Sequence, residues 1–156
     1  MAQEIERKYL LQGDSWRELS IGSVYCQGYI ATKNQVTVRV RIVGQQGYLT
    51  IKGPSVECSR LEFEYPIPVE DAQEMLNTLC EQPWIEKIRY KVEWGGLTWE
   101  IDEFDGLNKG LILAEVELKD ANQEIELPPW IGEEVSHDHR YFNSYLVKHP
   151  FSQWLR

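Results

Sequence analysis

The amino-acid sequence predicts a mainly β fold of the α+β class, with eight antiparallel strands and a few covering helices in one domain over residues 1–156. Three observations lead there. Short runs alternate charged and apolar residues with period two, as strands with two chemically different faces do. Turn signals separate the runs, among them Gly44 to Gly47, Gly53-Pro54, Gly95-Gly96 and Gly106 to Gly110. Helical spacing is confined to three stretches, and no repeat, low-complexity tract or linker divides the chain.

In chain order, the first strand (near 2–11) puts Glu4, Glu6 and Lys8 on one face. A short helix over 14–19 takes Asp14 as its N-cap. The second strand (22–33) carries Gly28 and Tyr29. The third (35–44) sets Arg39 and Arg41 against Val36, Val38, Val40 and Ile42, and the fourth (47–53) offers Lys52. The fifth (57–67) sets Glu62 and Glu64 against Leu61, Phe63 and Tyr65. A helix over 69–81 gathers Ala72, Met75, Leu76 and Leu79 on one face, with Glu70 and Asp71 at the positive end of its dipole and Pro83 beyond its end. The sixth strand (84–94) opposes Lys87, Arg89 and Lys91 to Ile88, Tyr90, Val92 and Trp94. The seventh (97–105) opposes Glu100 and Asp102 to Trp99 and Ile101, and the eighth (110–119) opposes Glu115 and Glu117 to Val116 and Leu118. Pro128-Pro129 makes an extended approach to a last helix over 140–148, before Pro150.

Composition narrows the function. A formal charge of -9 disfavours broad binding to nucleic acid or an anionic membrane, so a polyanionic substrate needs a local basic site. No apolar run approaches the ~20 residues of a membrane span and no signal peptide opens the chain, which places the expected setting in the cytoplasm. Cys26, Cys58 and Cys80 fit neither a disulfide framework nor a metal motif and are expected as free thiols. His137 and His139, with Asp138 between them, read as a solvated turn, because a hard-ion site prefers oxygen.

An antiparallel sheet with one wet face alternates in the same way. Two features set this chain apart. Its charged faces carry few of the Thr, Ser and Gln that dilute ordinary solvated sheets, and the charges come as same-sign doublets, Glu-x-Glu or Arg-x-Arg, which repel unless a counter-charge lies between them. Divalent metal would balance the carboxylates, and phosphate the guanidinium and ammonium groups. If the eight strands form a closed β-barrel with these faces inward, the interior is a polar tunnel wide enough for one small ligand. A closed barrel needs no partner to finish its sheet, so a monomer is expected.

The ordered blocks Glu4-Ile5-Glu6-Arg7-Lys8, Gln27-Gly28-Tyr29, Arg39-Val40-Arg41, Leu49 to Lys52, Arg60 to Glu64, Glu86 to Tyr90, Glu100 to Asp102, Glu115 to Glu117 and Arg140 to Asn143 resemble the CYTH superfamily of triphosphate tunnel metalloenzymes. The likeness covers almost the whole chain, and the length and the segment from Pro128 to Val135 look most like its short bacterial branch. The resemblance implies an eight-stranded antiparallel tunnel and metal-dependent hydrolysis of inorganic tripolyphosphate to pyrophosphate and orthophosphate, with two Mg2+ or Mn2+ ions. It implies that Lys8, Arg39, Arg41, Lys52, Lys87 and Arg89 grip phosphates, with Arg140 facing the substrate from the last helix. It gives Glu4, Glu6, Asp102, Glu115 and Glu117 to metal, and Glu62 and Glu64 to the attacking water. Tyr29 is expected to act with Lys8, which would give an alkaline optimum.

The same resemblance leaves open an adenylate cyclase, a thiamine or nucleoside triphosphatase, and a polyphosphate-binding barrel without catalysis. The carboxylates on four strands argue against the last of these. A glycosidase with two carboxylates would leave the basic residues unexplained.

Overall fold

The computed structural model describes residues 3–154. The eight expected strands are all present: β1 (Gln3–Leu11), β2 (Ser23–Ile30), β3 (Thr37–Val43), β4 (Gln46–Lys52), β5 (Ser59–Ile67), β6 (Ile85–Trp94), β7 (Leu97–Phe104) and β8 (Ile112–Glu117). The expected start of the first strand at residue 2 lies outside the described residues. Each strand pairs antiparallel with its neighbours in the order β5-β4-β3-β2-β6-β7-β8-β1, and β1 meets β5 again through Gln3, Glu4 and Ile5, so the sheet closes. A ninth strand, β9 (Ile131–Glu134), lies beside β1, with Tyr9 opposite Glu134. The sequence pattern missed it, because four residues after a Pro-Pro pair carry no alternation and the strand exists through its pairing with β1.

Register carries the charged faces inward together. The turn at Gly95-Gly96, both with positive φ, joins Trp94 to Leu97 in a two-residue hairpin and so puts Arg89 opposite Asp102. The β3–β4 hairpin likewise sets Arg39 opposite Thr50 and Thr37 opposite Lys52, and β4–β5 sets Lys52 opposite Glu62.

The outward faces are apolar and covered in patches. Helix α1 (Val69–Thr78) ends three residues short of the expected 81 and lies over β2, β3 and β4, its Ala72 and Leu76 packing around Val40 together with Cys80 just beyond its end. It and the Cys80 that follows it come close enough that a Cβ on Gly28 would stand 2.9 Å from Cys80 Cβ, an atom fixed to the backbone, so only glycine fits there. The expected helix near 14–19 is a 3-10 turn over Ser15–Leu19, which buries Trp16 among Val92, Trp99 and Trp130.

The last expected helix divides into a 3-10 turn over His139–Tyr141 and helix α2 (Asn143–Lys148). Its Leu146 and Val147 pack on Tyr29, Ile85, Phe104 and Leu113. By the period of two, those four residues continue the inward faces that carry Gln27, Lys87, Asp102 and Glu115. The interior therefore changes from charged to apolar at one end, and α2 fills that end.

All three cysteines are free thiols. Among the described residues, no helix is long and apolar enough to cross a membrane.

Candidate active site

The inward faces enclose a cavity of about 210 Å³ lined by Glu4, Glu6 and Lys8 of β1, Arg39 and Arg41 of β3, Lys52 of β4, Glu62 and Glu64 of β5, Lys87 and Arg89 of β6, and Glu115 and Glu117 of β8. Strand order sorts them by sign. The strand carboxylates lie on the contiguous strands β7, β8, β1 and β5, and the cations, Lys8 of β1 and Arg60 of β5 apart, on β4, β3 and β6. Between β3 and β6 runs β2, whose inward residues Tyr25, Gln27 and Tyr29 are neutral. The cavity wall thus has an acidic arc facing a basic one.

Local pairing fixes most of the cations. Lys52 Nζ donates to Glu4 at 2.9 and 3.1 Å and lies 3.4 Å from Glu62. Arg39 donates to Thr50 and to Glu64, and its buried Nε has no partner among the described residues. Lys8 Nζ lies 3.4 Å from Glu115, donates to the Tyr141 carbonyl and stands over the Phe142 ring. Lys87 donates to Asp102 and to Asn143 Oδ1 at 2.7 and 2.8 Å.

Titration follows these partners. Burial works against the Lys8 ammonium, but Glu115, Glu6 and Asp102 outweigh it and hold its pKa above the ordinary lysine value. Lys87 goes the other way: burial pulls it down to about 7, Arg89 and Arg41 add to the depression, and Asp102 offsets only part of it. Burial also opposes the Asp102 carboxylate, yet Arg89 and Lys87 hold it below the usual range. Glu6 makes no ion pair or hydrogen bond with its carboxylate among the described residues, and burial, Glu115 and Glu4 push its pKa up to about 8.

That isolated carboxylate bears on metal binding. Glu6 sits opposite Glu117 across the β1–β8 pair, with Glu115 two residues away on the same face, a like-charge arrangement that a cation would relieve. The donor set is all oxygen and suits a hard divalent ion. Among the described residues, no three acidic, histidine or cysteine side chains are already gathered as a metal cage.

Three sequence expectations meet different surroundings. Both Asp102 oxygens are engaged by Arg89 and Lys87, which leaves this carboxylate gripping cations instead of facing the cavity as a ligand. Arg140 is exposed, paired with Asp138 at 2.7 Å and laid over Tyr141 and Trp154, and it is not among the residues lining the cavity. From that segment Phe142, Asn143 and Ser144 line the tunnel, and Asn143 accepts from Lys87. Lys8 and Tyr29 are not bonded to each other. The Tyr29 hydroxyl accepts from Gln27, Gln27 donates to Asn143, and Asn143 accepts from Lys87.

Sequence reasoning also passed over Gln27, Asn143 and Arg60. Gln27 shares the inward period of Tyr25 and Tyr29, a signal that was available. Arg60 lines the cavity and fastens β5 to Gly53 and Thr37.

Comparison with known proteins places the chain among relatives. The model of the CYTH domain matches residues 2–145. An inorganic triphosphatase of Acetivibrio thermocellus is 51% identical over 154 residues, covering 99% of each chain. An inorganic triphosphatase of Nitrosomonas europaea is 38% identical over 92% of this chain and 96% of its own. The crystal structure of the inorganic triphosphatase NE1496 aligns with a TM-score of 0.63 at 35% identity, over 94% of this chain and 95% of that one.

Proposed function

The chain belongs to the CYTH family, and on that premise we propose that it is an inorganic triphosphatase, hydrolysing tripolyphosphate to pyrophosphate and orthophosphate inside the barrel. The observation that carries the reading is the division of the cavity wall into facing acidic and basic arcs. Phosphoryl transfer asks mainly for positioning and for stabilisation of the charge spread over the non-bridging oxygens. The arcs offer both.

In this reading Arg39, Arg41, Lys87 and Arg89 receive the phosphate oxygens, with Lys8 and Lys52 completing the grip from β1 and β4. Mg2+ or Mn2+, held by Glu6, Glu115 and Glu117 with Glu4 beside them, would supply Lewis-acid charge to the phosphates and lower the pKa of a bound water. Glu62 and Glu64 keep Lys52 and Arg39 in place, a different task from orienting water. Asp102 positions Lys87 and Arg89. Tyr29, whose oxygen accepts from Gln27, keeps its O–H to donate to a phosphate oxygen as the anhydride breaks. A monomer in the cytoplasm fits the closed sheet and the three free thiols.

The test is a panel of tripolyphosphate, longer polyphosphate, thiamine triphosphate and ATP with Mg2+, reading products as well as rates. Orthophosphate from tripolyphosphate as the dominant product supports the reading. Cyclic AMP with pyrophosphate from ATP as the dominant turnover would replace it.

A further inference from the structure

We propose that Gln27 is a positioning residue that orients Arg41 without neutralising it, so that the charge of this arginine is kept for the substrate phosphates; the inference rests on the triphosphatase reading above. Most cations in the cavity wall have an acid within ion-pairing distance: Lys8 has Glu115, Arg39 has Glu64, Lys52 has Glu4, and Lys87 and Arg89 share Asp102. Among the described residues Arg41 has none. Its Nε donates to Gln27 Oε1 at 2.9 Å, and its guanidinium lies over the Tyr25 ring, 5.0 Å from the centroid. Neither terminal nitrogen has a partner among the described residues, which leaves the two donors that match a pair of phosphate oxygens.

The surroundings explain why an amide stands here. Gln27 is 1% exposed and sits on β2 between the cationic strands β3 and β6, which a single intervening strand holds about 9–10 Å apart. The Tyr25 ring is shared by Arg41 and Arg89, whose guanidinium lies 4.9 Å from the same centroid. The Gln27 amide is itself fixed at its other end, Nε2 donating to Tyr29 Oη at 2.7 Å and to Asn143 Oδ1 at 3.2 Å. Burial, then Arg39 and Arg89, lower Arg41 to about 10, and Asp102, which makes no ion pair with it, offsets only part of the fall. The other lining cation without a carboxylate, Arg60, is already bonded to Gly53 and Thr37. Arg41 is the one both free at its tip and steered at its root.

A glutamate at this position would accept the same Nε bond and cancel the charge. The experiment therefore compares Gln27→Glu with Gln27→Met, measuring tripolyphosphate affinity by calorimetry in EDTA, KM and kcat with Mg2+, and Tm. Gln27→Glu is expected to weaken tripolyphosphate binding and raise KM by roughly tenfold to a hundredfold, the worth of a charge-assisted hydrogen bond, with Tm at or above wild type. In an Arg41→Met background the same change is expected to cost no further affinity, because its target is gone. Gln27→Met leaves the charge in place and is expected to weaken binding several-fold less than Gln27→Glu.

Wild-type affinity in Gln27→Glu, or a penalty that persists without Arg41, overturns the proposal. Unchanged binding in Gln27→Met removes its orienting half, and a loss as large as that of Gln27→Glu removes its charge half. A wild type that binds tripolyphosphate without hydrolysing it defeats the triphosphatase reading while the binding comparison still decides the role of Gln27. A wild type that does not bind it defeats both.

Discussion

Arg89 holds Asp102 by two parallel hydrogen bonds, Nε to Oδ1 at 2.7 Å and Nη2 to Oδ2 at 2.9 Å. The same Oδ2 also accepts from Lys87, so one buried carboxylate steadies two members of the basic arc. Removing it leaves two buried cations with too little counter-charge. Asp102→Asn is expected to destabilise the protein by about 3 kcal/mol or more, the usual cost of breaking a buried pair. Denaturant unfolding measures that loss. The Mg2+ concentration for half-maximal rate should stay near wild type, and a large rise in it would return Asp102 to the metal ligands.

Glu115 and Glu117 share one face of β8 but not one environment. Burial opposes the Glu115 carboxylate, yet Lys8, Arg89 and Lys87 hold its pKa well below the usual range, whereas Glu117 stays open to solvent and is pushed up by partial desolvation, then by Glu4 and Glu100. Glu115→Gln is expected to lower both Tm and the metal-dependent rate. Glu117→Gln should leave Tm nearly unchanged while demanding roughly tenfold to a hundredfold more Mg2+, a penalty typical of a disturbed metal shell. Metal titrations of the rate decide this, and intact metal-dependent rates in both variants would remove them from the ion's site.

The depressed Lys87 predicts a direction for stability against pH. Its pKa is about 7 folded and near 10.5 unfolded, so between those values the unfolded chain binds more protons and stability rises with pH. Below pH 7 both states carry the charge and the folded state bears its full burial cost. Denaturant unfolding in EDTA at pH 6.5, 8 and 9.5, taken as wild type minus Lys87→Met, should rise across the series. Subtracting the variant cancels the opposing slope of Glu6, which loses its folded-state proton near pH 8. A flat difference would mean that Asp102 and Asn143 keep Lys87 at its ordinary pKa.

Much of the site was legible because strand alternation has a fixed period and short hairpins fix register. Trp94 and Leu97 flank Gly95-Gly96, and counting back from that turn brings Arg89 opposite Asp102, so the ion pair that engages both Asp102 oxygens was already implied. The inward change from Lys87 to Ile85, Asp102 to Phe104 and Glu115 to Leu113 was equally visible as the place where a plug would sit. What alternation does not carry is the partner that fills that end. Arg140 and Asn143 are three residues apart beside a short helix, and only its docking through Leu146 and Val147 sends the asparagine inward and leaves the arginine in solvent. Strand β9 is legible only through its pairing with β1.

That placement separates two arginines which charge alone would treat alike. Arg140 is 53% exposed in its side chain and spends its donors on Asp138, so Arg140→Ala is expected to leave kcat and KM within about twofold, as for most exposed ion pairs. Arg41 lines the cavity with its terminal nitrogens unpaired, so Arg41→Ala should raise the KM for tripolyphosphate by roughly tenfold or more, the worth of a charge-assisted hydrogen bond. Steady-state kinetics on both variants decide the matter. A severe loss in Arg140→Ala with full activity in Arg41→Ala would mean that the substrate enters against the α2 surface instead of the basic arc, and the Gln27 proposal would fall with it.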